Sequence, residues 1–195
     1  MSRPRRLAGR LAAALGLSVL VATASWGETP RLSNLVVTNS GQALVVSAVL
    51  LGSLPEGVRE GLSTGIPATI RYQAELWQYN SWWVDRRLVA KLVERNVIFD
   101  VLTREYRVTA SQGEQREPYV TRDIWEAERV LSELKTLSLA TVQGLKDEDL
   151  YYVRARAEIR SGAPDASLSK ILPFASFRVE TPWVESSLLT LRRNR

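Results

Sequence analysis

Between Ala68 and Leu76 apolar and polar residues alternate without a break. Ala68, Ile70, Tyr72, Ala74 and Leu76 take one side, and Thr69, Arg71, Gln73 and Glu75 the other. The pattern returns from Tyr151 to Arg160, with Tyr151, Val153, Ala155, Ala157 and Ile159 set against Tyr152, Arg154, Arg156, Glu158 and Arg160. Successive side chains of a strand point to opposite faces, so a period of two buries one face and wets the other; a helix would scatter these residues around its axis. Sheet with one covered face, the usual state of antiparallel strands, is therefore expected.

The remaining segments fill in that frame. Leu32 to Thr38 and Ala43 to Leu51 are β-rich runs around Asn39-Ser40-Gly41, residue types suited to a tight turn, and predict a hairpin. Pro55 to Thr64, ending at Gly65, reads either as a short helix closed by glycine or as an irregular loop. After a turn at Asn80-Ser81, Trp82 to Val93 alternates Leu88, Ala90 and Leu92 with Arg87, Val89, Lys91 and Val93. Val84, Leu88 and Leu92 also fit a helical stripe, and the strand reading is preferred. Val97 to Val101 and Tyr106 to Ala110 predict two short strands, Gln112 to Pro118 a polar turn, and Phe174 to Val179 a last strand. One helix is expected from a Thr121 N-cap to Lys135, with Asp123 in its first turn and Ile124, Ala127, Leu131 and Leu134 inward; Arg122 with Glu126, and Arg129 with Glu133, are spaced to pair on its wet side. Gly144 to Leu150 reads as an acidic loop. The expected architecture is α+β: about eight strands in a mainly antiparallel sheet or sandwich, with one amphipathic helix packed on it.

The first 27 residues read as a targeting signal rather than as fold. Arg3, Arg5, Arg6 and Arg10 precede the apolar run of residues 11–24, which ends in the small-x-small pattern Ala22-Thr23-Ala24. The run is shorter than the roughly 20 residues of a bilayer-crossing helix, so no stable transmembrane anchor is expected once the leader is removed. Leu7-Ala8-Gly9 after Arg5-Arg6 lacks a bulky apolar pair, which favours export unfolded through the general secretion route to the periplasm. The mature part is expected to be a single domain over residues 28–191, followed by the basic tail 192–195.

Removing that leader changes what the charge means. The chain carries 26 bases and 21 acids, but four of the bases lie in the leader and three in the tail, which leaves the body at −2. A nucleic-acid partner would need a basic stripe, and none remains. The chain has no Cys and no His, which closes off disulfides, triads, thiol nucleophiles and thiolate or imidazole metal sites. Stability is left to the apolar core, which about 170 residues can supply. No cofactor and no metal site are expected.

The aromatic group Trp77, Tyr79, Trp82 and Trp83, followed by Asp85, is the first candidate binding surface. Indoles offer large apolar faces for a sugar, a peptide or a lipid head group, although aromatic pairs also serve to fix strand register. Adjacent Trp82 and Trp83 point to opposite faces if both lie in a strand. Arg104, Arg107, Arg154 and Arg156 are candidate anion contacts, with the alternative that they are exposed strand positions paired with Glu105 and Glu158. Asp147, Glu148 and Asp149 are the densest carboxylates; three consecutive acids read as a solvated loop rather than as facing catalytic groups. Ser169-Lys170 is adjacent, a poor geometry for a serine-lysine dyad. No catalytic residue is expected.

Trp82-Trp83-x-Asp85, Leu102-Thr103-Arg104-x-Tyr106-Arg107-Val108 and Tyr152-Val153-Arg154-Ala155-Arg156, in that order after a leader and a hairpin, resemble a family of bacterial exported proteins designated only as a domain of unknown function. The resemblance covers about residues 31 to 188 and is looser at Thr181 to Ser186. Its members are often encoded near a sensor histidine kinase, which implies a role in the cell envelope and no established catalytic residues. The expectation is a non-catalytic periplasmic module that binds a protein or another envelope component. A carboxylate-dependent hydrolase of cell-wall glycan and a small-ligand-binding domain are the alternatives.

Overall fold

A computed structural model of the protein describes residues 29–162 and 177–191. The expected leader 1–27, the tail 192–195, Ser169-Lys170 and the start of the last strand at Phe174 lie outside the described residues. Ten strands and two α-helices follow in the order β1 (Arg31–Asn39), β2 (Ala43–Leu51), α1 (Glu56–Ser63), β3 (Ala68–Tyr79), β4 (Arg86–Asp100), β5 (Glu105–Gln112), β6 (Tyr119–Thr121), α2 (Ile124–Ser132), β7 (Glu133–Thr141), β8 (Leu150–Ser161), β9 (Phe177–Glu180) and β10 (Val184–Glu185). They form two antiparallel sheets, a small one ordered β1-β2-β7 and a large one ordered β10-β8-β3-β4-β5-β6, with β9 beside β10 on the same edge of β8. The result is an open, sandwich-like α+β fold.

The strict alternation sits at the centre of the large sheet. β3 pairs with β4 on one side and β8 on the other along nearly its whole length. The inward residues of β3 and β8 are fully buried and meet Leu44, Val46, Ala48 and Leu50 of β2 across a single core, which the helices close with Val58, Leu62, Ala127 and Leu131. Burying an aliphatic side chain of this size contributes about 2 kcal/mol, so the alternating strands carry much of the driving force.

The expected hairpin forms between β1 and β2. Gly41 takes a φ of 85°, and its N–H donates to Asn39 Oδ1. Pro55 to Thr64 is a helix. Ile66 N–H donates to Gly61 O and Gly65 N–H to Leu62 O, the paired bonds of a Schellman end, with Gly65 supplying the left-handed residue.

The structure corrects four expectations. Trp82 to Val93 and Val97 to Val101 are not separate strands: β4 is one strand of 15 residues that begins at Arg86 and ends at Asp100, which leaves Trp82, Trp83 and Val84 in the turn before it. The α2 N-cap is Asp123, whose carboxylate accepts from Trp125 N–H, rather than Thr121. That helix stops at Ser132, and Leu134 and Lys135 belong to β7, a strand not anticipated from the sequence. Arg122 pairs with Glu105 and Glu133 with Lys135, so neither expected i, i+4 pair forms as drawn.

Candidate functional site

Six residues, Asn80 to Asp85, connect β3 to β4, and three consecutive apolar side chains stand out from them. Trp82 is 92% exposed, Trp83 79% and Val84 76%. The base of the loop is tied down. Asp85 accepts from Asn80 N–H at 2.9 Å with one carboxylate oxygen and from the Tyr152 hydroxyl at 2.9 Å with the other, and Asn80 Oδ1 accepts from Trp82 N–H. Burial, with the carboxylate of Asp85 beside it, pushes the Tyr152 hydroxyl up to about 12, so it stays a donor at any working pH. A loop clamped at its base presents its indoles at little further ordering cost. Tyr79 and Leu150, register partners across β3 and β8, are also partly exposed and extend the apolar end of the sheet.

Trp77 does not join that tip. It lies on the outer face of the large sheet, stacked on Tyr152 with ring centroids 6.4 Å apart, and its indole N–H donates to Glu75 at 2.8 Å. The Arg154 guanidinium sits 4.2 Å from the Trp77 ring and 4.5 Å from Trp183, and the Arg156 guanidinium sits 4.7 Å from Trp183. Two aromatic rings and two cations thus alternate in a ladder, each contact contributing about 0.5–1 kcal/mol where half exposed. Below it Glu75, 1% exposed, accepts from Arg154, Trp77, Arg87 and Gln73. Burial alone would raise its pKa. The hydrogen bonds from Arg154, Trp77 and Arg87, with the charge of Arg154, outweigh burial and hold it below the ordinary carboxylate range.

The four candidate arginines therefore divide. Arg154 and Arg156 are engaged with Glu75, Gln73 and Glu180. Arg107 is on β5, and Arg104 is in the turn before it at a φ of 56°; β3 and β4 lie between them and β8, so the four do not share one pocket. Arg107 lines a shallow groove of about 230 Å³ with Ile98, Val120, Asp100 and Glu105, a mixed rather than cationic surface. Glu158 pairs with Arg160 and Arg178, not with Arg154 or Arg156.

Sequence reasoning missed Glu75 and Trp183. One signal was available for Trp183: Arg154 and Arg156 stand two apart on one strand face, where a single aromatic ring can contact both guanidinium groups. Nothing marked Glu75 among the polar positions of its strand.

Carboxyl chemistry has weak support in this geometry. Glu75, Glu94 and Glu180 all move below their ordinary range, the opposite of what a general acid requires. Asp149, in the acidic loop, accepts from Gln78 at 2.8 Å. An open groove of about 560 Å³ beside α1 and α2 has an ion pair on its wall, where Glu128 accepts from Arg59, Ser53 and Leu54 N–H. It is not the enclosed apolar pocket a small-ligand binder would present. Among the described residues no three carboxylates are grouped to hold a metal ion, and no helix is long and apolar enough to cross a membrane.

No curated protein and no solved structure significantly matches the chain. A family model described as a domain of unknown function, DUF4390, matches residues 28–187, a span that takes in both sheets, the ladder and the Trp82-Trp83 tip, and the chain belongs to that family.

Proposed function

We propose that this protein is a non-catalytic binding module of the cell envelope, working in the periplasm after export and engaging its partner through the β3–β4 tip. The observation that carries this reading is the exposure of two adjacent indoles and a valine on a loop whose base is clamped by Asp85 and Tyr152. Each indole offers roughly 150–250 Å² of burial, so covering both contributes on the order of 10 kcal/mol before the cost of association is subtracted. Solvent-exposed aromatic pairs of this kind typify binding hot spots, and nothing in the core uses them.

The test is photo-crosslinking in cells from position 82 or 83, with position 38 in the exposed β1–β2 hairpin as the control. A defined envelope species captured at the tip and not at the control is the expected result. Capture at the tip no greater than at position 38 would overturn the reading.

A further inference from the structure

We infer that the partner of the tip is a zwitterionic phospholipid surface, into which Trp82, Trp83 and Val84 dip to the depth of one loop. This rests on the reading of the tip as a binding surface and adds the chemistry of what it binds. Four observations support it. The apolar residues are consecutive and stand 76–92% exposed on a protruding turn. A convex wedge of that shape enters a soft interface without a matching cavity, and indoles favour the head-group region, where the ring is covered and its N–H stays wet. The one charge next to the apolar run is turned back into the fold, since Asp85 is occupied by Asn80 N–H and the Tyr152 hydroxyl. A carboxylate pointing outward there would oppose insertion.

The flanks carry both signs. Arg86 and Arg87 open β4 on one side of the tip and are exposed, with Arg87 also reaching Glu75. On the other side the Tyr79–Leu150 register and the Gln78–Asp149 hydrogen bond bring the acidic loop alongside, with Asp147 and Glu148 exposed. Cations suit the lipid phosphate and acids suit an ammonium head, so the arrangement matches a zwitterion and has no excess of positive charge to select anionic lipid. No described helix is long and apolar enough to cross a bilayer, and a run of three exposed apolar side chains on a loop reaches interfacial depth.

The chain has no native cysteine, which makes single-site labelling clean. The full chain carrying Ser81→Cys, labelled with a polarity-sensitive dye, is mixed with vesicles of phosphatidylethanolamine and phosphatidylcholine, with and without phosphatidylglycerol. Because the apolar leader can itself carry the full chain to a vesicle, the readout is the difference from the same dye on Thr38→Cys. A blue shift at 81 and not at 38, similar in both vesicle types, retained at raised salt and reduced at least about tenfold in titration midpoint by Trp82→Ser/Trp83→Ser, is expected. No shift at 81, an equal shift at 38, or a shift that requires anionic lipid and vanishes with salt would overturn the inference. If vesicles leave the dye unchanged while crosslinking from 82 captures a defined protein, the lipid inference fails and the binding reading stands. If both are blank, both fail.

Discussion

Arg95 is 1% exposed on the core face of β4, a place where an unpaired cation would unfold a protein of ordinary stability. Each of its three side-chain nitrogens is hydrogen-bonded. Its guanidinium reaches Val130 O, Leu131 O and Glu133 O at the end of α2 and binds Glu114 through two nitrogens, while the single Tyr72 O–H is shared between Leu131 O and Ser132 O alongside. The helix C-terminus, with its partial negative charge, is thus closed by a buried cation and a phenol. Arg95→Met should cost about 3–5 kcal/mol in urea denaturation, because Glu114 and the helix carbonyls lose their partner together. A loss under about 1 kcal/mol would show that the cation is dispensable. Glu75 gives a different test. Its pKa is depressed in the folded state, so its contribution is present above the unfolded carboxylate value and is lost as the pH falls through the folded one. Stability of the wild type should fall on acidification through and below the ordinary carboxylate range, and Glu75→Gln should flatten that decline while lowering stability at neutral pH. Parallel pH profiles for the two would contradict the assignment. Neither residue was legible beforehand: burial of a single polar group depends on which strand lies beside it, and pairing is not encoded in one strand's alternation.

The elements were legible where one physical signal dominated. β3 and β8 alternate cleanly because both sit inside the large sheet with one face on the core. β4 was ambiguous for a structural reason. Its core face carries Lys91 and Arg95 beside Val93 and Val97, while Leu92 lies on the outer face, so apolar residues fall on both sides of the pleat. The end of α2 misled because Leu131 and Leu134 suit a helical stripe, yet Leu134, Leu137 and Leu139 are the buried residues of β7, whose pairing with β2 shifts register near Thr136 at a φ of 51°. At the C-terminal edge, β9 and β10 are only four and two residues long, and Trp183, in contact with both Arg154 and Arg156, adds to the short ladders, the Thr181 and Ser186 hydroxyl bonds and the Arg156–Glu180 pair that fasten them to β8. Trp183→Ala should cost about 2 kcal/mol and speed amide exchange along β10 before it affects β3. Uniform acceleration across the sheet would show that the ladder is not a local fastening.

The described residues are held without disulfides by one core shared between two sheets and two helices, whereas the alternating strands implied only sheet with one covered face and left open a single sheet or a sandwich. What alternation could not reveal is the division of the aromatic residues. Trp77 and Trp183 belong to the ladder on the sheet's outer face, whereas Trp82 and Trp83 stand exposed and outside the core formed by the described residues. The two roles separate only once β4 is seen to begin at Arg86 and not at Trp82. A residue kept for the fold should cost stability when removed, and one kept for a partner should not. Trp82→Ser/Trp83→Ser, measured for urea stability and for tip crosslinking from position 84 in cells, separates these roles directly. Stability within about 0.5 kcal/mol of wild type together with loss of the captured species is the expected result. A drop of several kcal/mol, or undiminished capture, would contradict the assignment of the tip as the binding surface.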